Sequence, residues 1–179
     1  MAADKVRLLL IQASPPGMPL LNTDVDEREL QQALQRGGRR DAFALLPRVP
    51  AARVRDLHEA LHTHQPHILH FMGHGDGAGG LLLNAPDDRG EASLTAPALA
   101  ELIGAYQAAA AANQRPPLHL VVLAGCRTAG AAELLTAHVP CVIAVAGDIE
   151  DRAVHQALTP TLYFALSDGL SVADAVANA

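Results

Sequence analysis

Five short apolar runs recur along this chain, and the segments between them carry helical spacing. The runs are Val6 to Ala13 (VRLLLIQA), Ala42 to Leu46, Ile68 to Met72, Leu118 to Ala124 (LHLVVLA) and Cys141 to Ala146 (CVIAVA). None has the 3.6-residue period of a helix, and each is of strand length, so each reads as a buried strand. Near-continuous apolar strands are those of sheets covered on both faces.

The intervening segments read as helices. Thr23 or Asp24 can cap one that runs to about Arg36 and stops at Gly37-Gly38. Pro50 opens another, Ala51 to about His64, with Val54, Leu57 and Leu61 on one face. Leu81 to Asn84 and Ala92 to Leu94 read as a hairpin around Asp87-Asp88-Arg89-Gly90. Thr95 caps a helix that presents Leu99, Leu102, Ile103 and Tyr106 and fades into the alanine run before Gln114. Further helices are expected over Ala129 to Ala137, Val154 to Leu166, and from Ser171 onward. This alternation implies an α/β fold with a mostly parallel sheet and helices on both faces. The simplest strand order is 2-1-3-4-5, counting the five apolar runs.

A chain of 179 residues suffices for one domain with a real core, and residues 1–179 are expected to form one, cut short inside the last helix. Only 3% of the chain is aromatic, so the core must be built from Leu, Val, Ile and Ala. The net charge of −6 argues against nucleic acid as the default partner. No apolar run approaches the roughly 20 residues that span a bilayer, so no membrane role is expected. Pro15-Pro16-Gly17 reads as a loop after a strand, not as part of a signal peptide. Two cysteines are too few for a disulfide scaffold. Cys126 follows its strand and Cys141 begins the next, so parallel strands hold them beyond the roughly 7 Å limit for bridging. Both thiols are expected reduced, in a cytoplasm.

Two of the strands end in reactive side chains. The third runs into Gly73-His74-Gly75 and the fourth into Gly125-Cys126-Arg127. Sites on open parallel sheets are built at the carboxyl ends of strands. If these strands are neighbours, His74 and Cys126 emerge on one edge, as a thiol nucleophile and its proton-transfer partner.

These stretches resemble a CHAT domain, of the caspase-like clan of cysteine peptidases. The resemblance rests on HILHFMGHG followed by GGLLL, then LVVLAGCRTA, HVPCVIAVAGDIEDRAV and LYFALSDGLSVADA, and covers nearly the whole chain. It implies a three-layer caspase-like fold, His74 as catalytic histidine and Cys126 as nucleophile, with no cofactor. The family usually shows Asn-Ala-Cys where this chain has Ala124-Gly125-Cys126, a departure that touches the specificity pocket and not the dyad. The backbone N–H groups of Gly75 and Cys126 are expected to hold the oxyanion. By the same resemblance Ala124 lines the pocket for the side chain preceding the cut bond. Asp148 either gives that pocket an acidic wall or, with Glu150 and Asp151, caps the next helix. CHAT domains commonly sit beside repeat or sensor modules and take part in prokaryotic defence or programmed cell death. A protein or peptide substrate and a regulatory module or partner chain are therefore expected.

Other motifs carry less. Six of the nine histidines fall between His58 and His74, and His58 and His62 are four apart on a helix. No cysteine or acidic cluster joins that pair, so no metal site is assigned, and His70 reads as a core histidine. Gly75 to Gly80 matches G-x-G-x-x-G, but a strand follows where a dinucleotide site needs a helix. The leading expectation is a cysteine endopeptidase. The rival is a catalytically dormant caspase-like interaction module that a partner must complete.

Overall fold

A computed structural model describes residues 5–148 and 152–178. Glu150 and Asp151, expected as helix caps, lie outside the described residues. The elements in chain order are β1 (Val6–Gln12), α1 (Thr23–Arg36), β2 (Phe43–Leu45), α2 (Val54–His64), β3 (Ile68–Met72), β4 (Leu81–Asn84) and β5 (Glu91–Leu94). They continue with α3 (Ala96–Ala112), β6 (Leu120–Ala124), α4 (Ala129–Leu135), β7 (Cys141–Ala144), α5 (Arg152–Asp168) and α6 (Val172–Ala177).

The main sheet has the order β2-β1-β3-β6-β7. Pairings β1–β3, β3–β6 and β6–β7 are all parallel. This is the order the alternation implies, because β4 and β5 form a separate antiparallel hairpin. The fold is the α/β, caspase-like arrangement expected from the sequence.

Several boundaries differ for physical reasons. Ala51 takes a left-handed φ of 47°, so α2 begins only at Val54. Arg53 precedes it and donates its backbone N–H to Asp56 Oδ2 at 3.1 Å. Thr23 and Asp24 lie inside the first turn of α1 rather than capping it. There the Asp24 carboxylate suits the positive end of the helix dipole. The alanine run does not fade: α3 continues to Ala112, as the residue of highest helix propensity allows.

The chain falls into two compact units. One comprises Leu8–Leu21 and Leu46–Asp148. Its core sets Leu9, Ile11, Leu69, Phe71, Val121 and Leu123 of the sheet against Leu57 and Leu61 of α2 and Leu99, Ile103 and Tyr106 of α3. The intervening Leu8, Leu10, Ile68, Leu120 and Val122 are buried too. That double burial is why these strands read as unbroken apolar runs.

The other unit comprises Met1–Arg7, Asn22–Leu45 and Ile149–Ala179. Here α1 packs on α5, and Leu30, Leu34, Leu162 and Tyr163 are buried. Arg39 N–H donates to the Ser167 carbonyl at 2.7 Å, and Gly38 N–H to Asp168 Oδ1 at 3.3 Å. No described helix is long and apolar enough to cross a membrane.

Candidate active site

The pairing of β3 with β6 sets Met72 opposite Ala124. Each strand then passes through one glycine to reach His74 and Cys126. Both residues therefore leave the same edge of the sheet at the same height, and all the site residues described here belong to one compact unit.

The two turns pack backbone against backbone. A Cβ on Gly75 would fall 1.9 Å from the Cys126 carbonyl oxygen. A Cβ on Gly125 would lie 2.9 Å from the Gly73 carbonyl oxygen and 3.2 Å from the Gly75 nitrogen. Only glycine permits such an approach at both positions.

Gly75 also forms an isolated antiparallel bridge with Leu81 at the start of β4. The bonds of that bridge flank it: Leu82 N–H donates to the His74 carbonyl at 2.9 Å, and Asp76 N–H to the Gly80 carbonyl at 3.1 Å. Gly75 is thus the member whose own N–H is turned away from β4.

His74 is half-buried, and its Nε2 lies 2.9 Å from the Pro19 carbonyl oxygen. A carbonyl only accepts, so Nε2 carries the proton of this bond. In the neutral ring Nδ1 is then the basic nitrogen. Pro19 belongs to the loop after β1.

Cys126 is half-buried and outside any disulfide. The chain turns sharply after it: Arg127 adopts a left-handed φ of 54° and donates its N–H to the Gly147 carbonyl at 3.0 Å. Thr128 is fully buried. Its Oγ1 lies 3.1 Å and 3.0 Å from the Leu123 and Gly125 carbonyl oxygens and accepts from Val145 N–H at 3.2 Å. One hydroxyl thereby ties the end of β6, the cysteine turn and the end of β7 together.

Asp148 forms an ion pair with Arg127, and this hydrogen bond is the main reason the guanidinium is held above its ordinary pKa. Both side chains are more than half exposed, at 55% and 53%. Ala124, at the end of β6, is buried. Cys141 pairs with Leu120 at the far end of β6, a strand length of about 13 Å before Ala124. Burial pushes its thiol pKa up.

His70, His58 and His62 belong to β3 and α2 and not to the two turns. His70 is fully buried on β3. The His58 and His62 rings lie 4.7 Å apart on α2, and His62 meets Tyr106 edge-on at 5.5 Å. Among the described residues, no three His, Cys, Asp or Glu side chains are grouped as metal ligands.

A family model, the CHAT domain, matches residues 4–179. The chain belongs to the CHAT domain family. That family is caspase-like and related to proteases, in keeping with the sheet order found here. No curated protein matches this CHAT domain.

Two features of the CHAT domain site escaped the sequence. Pro19 acts through its carbonyl, which every residue type possesses, so no side-chain pattern marks it. Thr128 stands where a helix cap is expected, before α4, but makes no cap bond. Its hydroxyl turns inward instead, and only the packing of β6 against β7 reveals that.

Proposed function

We propose that this CHAT domain is a cysteine endopeptidase with Cys126 as nucleophile and His74 as proton carrier. The observation that supports it best is the backbone contact between the Gly75 and Cys126 turns, which puts a turned-out amide beside the thiol-bearing turn.

The steps follow from the atoms present. His74 Nδ1 takes the thiol proton of Cys126. The thiolate attacks the substrate carbonyl carbon, and the electron pair of the C=O bond moves to oxygen. The N–H groups of Gly75 and Cys126 stabilise that oxyanion. As it collapses, the C–N bond breaks and imidazolium Nδ1–H protonates the leaving amine. A water deprotonated by His74 then attacks the thioester, releasing the acid product and the thiol. Throughout, Nε2–H stays on the Pro19 carbonyl, which orients the ring.

The pocket for the side chain before the cut bond is formed by Ala124, with Asp148 at its rim. A methyl group offers neither charge nor hydrogen bond, and the Asp148 carboxylate is engaged by Arg127. Together they favour an apolar side chain such as Met or Leu. The biological setting is that of a regulated effector in prokaryotic defence or cell-death signalling. It acts in the cytoplasm on a protein substrate, under a regulatory module or partner chain.

Cleavage of a peptide library by wild type, Cys126→Ala and His74→Ala tests the reading. Turnover should vanish in the first variant and nearly vanish in the second. Turnover retained in Cys126→Ala would overturn it.

A further inference from the structure

Beyond Gly75, the glycine-rich stretch after His74 has no role in the mechanism above, yet its turn is held by several hydrogen bonds. Its only charged residue is Asp76. Asp76 Oδ1 accepts from Ala78 N–H at 2.9 Å and from Gly80 N–H at 2.7 Å. Asp76 Oδ2 accepts from Ser93 Oγ at 2.8 Å, across on β5. The glycines follow from this arrangement. Gly77 and Gly79 take left-handed φ values of 79° and 100° to wrap the chain around the carboxylate. A Cβ on Gly80 would lie 2.5 Å from both Asp76 Oδ2 and the Leu94 carbonyl oxygen.

The wrapped turn touches both catalytic segments. At one end Asp76 N–H and the Gly80 carbonyl make one of the two bonds that flank Gly75. At the other, the Gly79 carbonyl accepts from Ala131 N–H at 3.1 Å, in the first turn of the helix after Cys126. The direction of the Gly75 N–H is therefore set by a turn whose shape depends on one carboxylate.

We propose that Asp76 is a positioning residue: it holds the turn Asp76–Gly80 so that the Gly75 amide faces the oxyanion and stays in register with the Cys126 turn. This rests on the peptidase reading for its chemistry, while the holding of the turn stands on geometry alone. Asp76 touches no reacting atom. Its removal should act on kcat, because an amide displaced by a fraction of an ångström fails the transition state more than the bound substrate.

The test compares wild type with Asp76→Ala, Asp76→Asn and Ser93→Ala on one cleaved peptide. Amide hydrogen exchange over 75–80 and 127–131 is measured on the same samples. Asp76→Ala should lower kcat by about 10- to 100-fold with KM changed less than about threefold, and exchange should accelerate in both segments. Asp76→Asn keeps an oxygen that accepts from Ala78 and Gly80, so it should recover most of kcat. Ser93→Ala frees only Oδ2, so its kcat should lie between wild type and Asp76→Ala. Should Asp76→Ala fail to fold, Asp76→Asn and Ser93→Ala carry the test by the same criteria. Unchanged kcat and exchange in Asp76→Ala would overturn the proposal, as would equal losses in the Ala and Asn variants. If wild type cleaves no peptide, it is the peptidase reading that fails. Exchange in the variants then still decides whether Asp76 holds the turn.

Discussion

Gly75 lies against Cys126 so closely that the space for a methyl group is taken by the Cys126 carbonyl oxygen, 1.9 Å from where that carbon would sit. The histidine turn and the cysteine turn are thereby one packed piece of backbone. A disturbance of either is a disturbance of both.

Gly75→Ala is the direct perturbation of that contact. The added methyl meets backbone, which cannot rotate aside, and overpacking of this kind costs about 1–3 kcal/mol. For a chain of this size the melting temperature should fall by roughly 2–12 °C. Circular dichroism melts check this, and peptide cleavage should be lost along with it. An unchanged melting temperature would contradict the contact.

Thr128 offers a second handle on the cysteine turn. Thr128→Val keeps the shape but leaves the Val145 N–H and the strand-end carbonyls without the hydroxyl. Buried groups left unsatisfied cost about 1–3 kcal/mol. Thr128→Ser retains the hydroxyl and should melt close to wild type. If the Val and Ser variants melt alike, the hydroxyl does not tie the three segments.

The Asp76 carboxylate predicts an acid limit. Its partial burial raises the pKa, but the bonds from Ser93, Ala78 and Gly80 together outweigh this and leave it below the usual 3.8. A carboxyl depressed by folding stabilises the fold above its unfolded pKa, and that contribution is lost as pH falls through the folded value. The Ala78 and Gly80 amide resonances should hold steady from neutral pH to about pH 5 and move only below about pH 4. The Asp76→Asn variant should show no such step. A transition near neutral pH in wild type would contradict the arrangement.

Much of this was legible in the chain. The strand order followed from five apolar runs and the segments between them, because strands buried on both faces leave an unbroken signature. His74 and Cys126 stood out because a reactive side chain after a buried strand has little structural purpose. What stayed hidden was carried by groups without a side-chain signature, such as the Pro19 carbonyl. Asp148 could be read as pocket wall or helix cap, and its partner Arg127 was adjacent to Cys126 all along. Ion pairs between loops 21 residues apart leave no periodicity to find. The glycine-rich stretch matched a phosphate-binding pattern by spacing, while its glycines serve an aspartate inside the turn.

The proposed pocket, with Ala124 at its wall and Asp148 engaged by Arg127, makes a prediction about substrate choice. A peptide library should show Met or Leu preferred before the cut bond, and Asp148→Ala should leave that preference unchanged. A preference for Arg or Lys that disappears in Asp148→Ala would mean the carboxylate faces the pocket instead. A strong preference for Asp would remove Ala124 from the pocket altogether.

Labelling with a peptide-based thiol electrophile, read by intact mass and peptide mapping, tests the central claim most directly. The chain has two thiols, half-buried at opposite ends of the sheet, and only Cys126 is expected to react. One adduct per chain is expected, on Cys126, abolished in Cys126→Ala, strongly slowed in His74→Ala and unaffected in Cys141→Ala. Equal labelling of both cysteines, or labelling that persists in Cys126→Ala, would contradict the assignment of Cys126 as nucleophile.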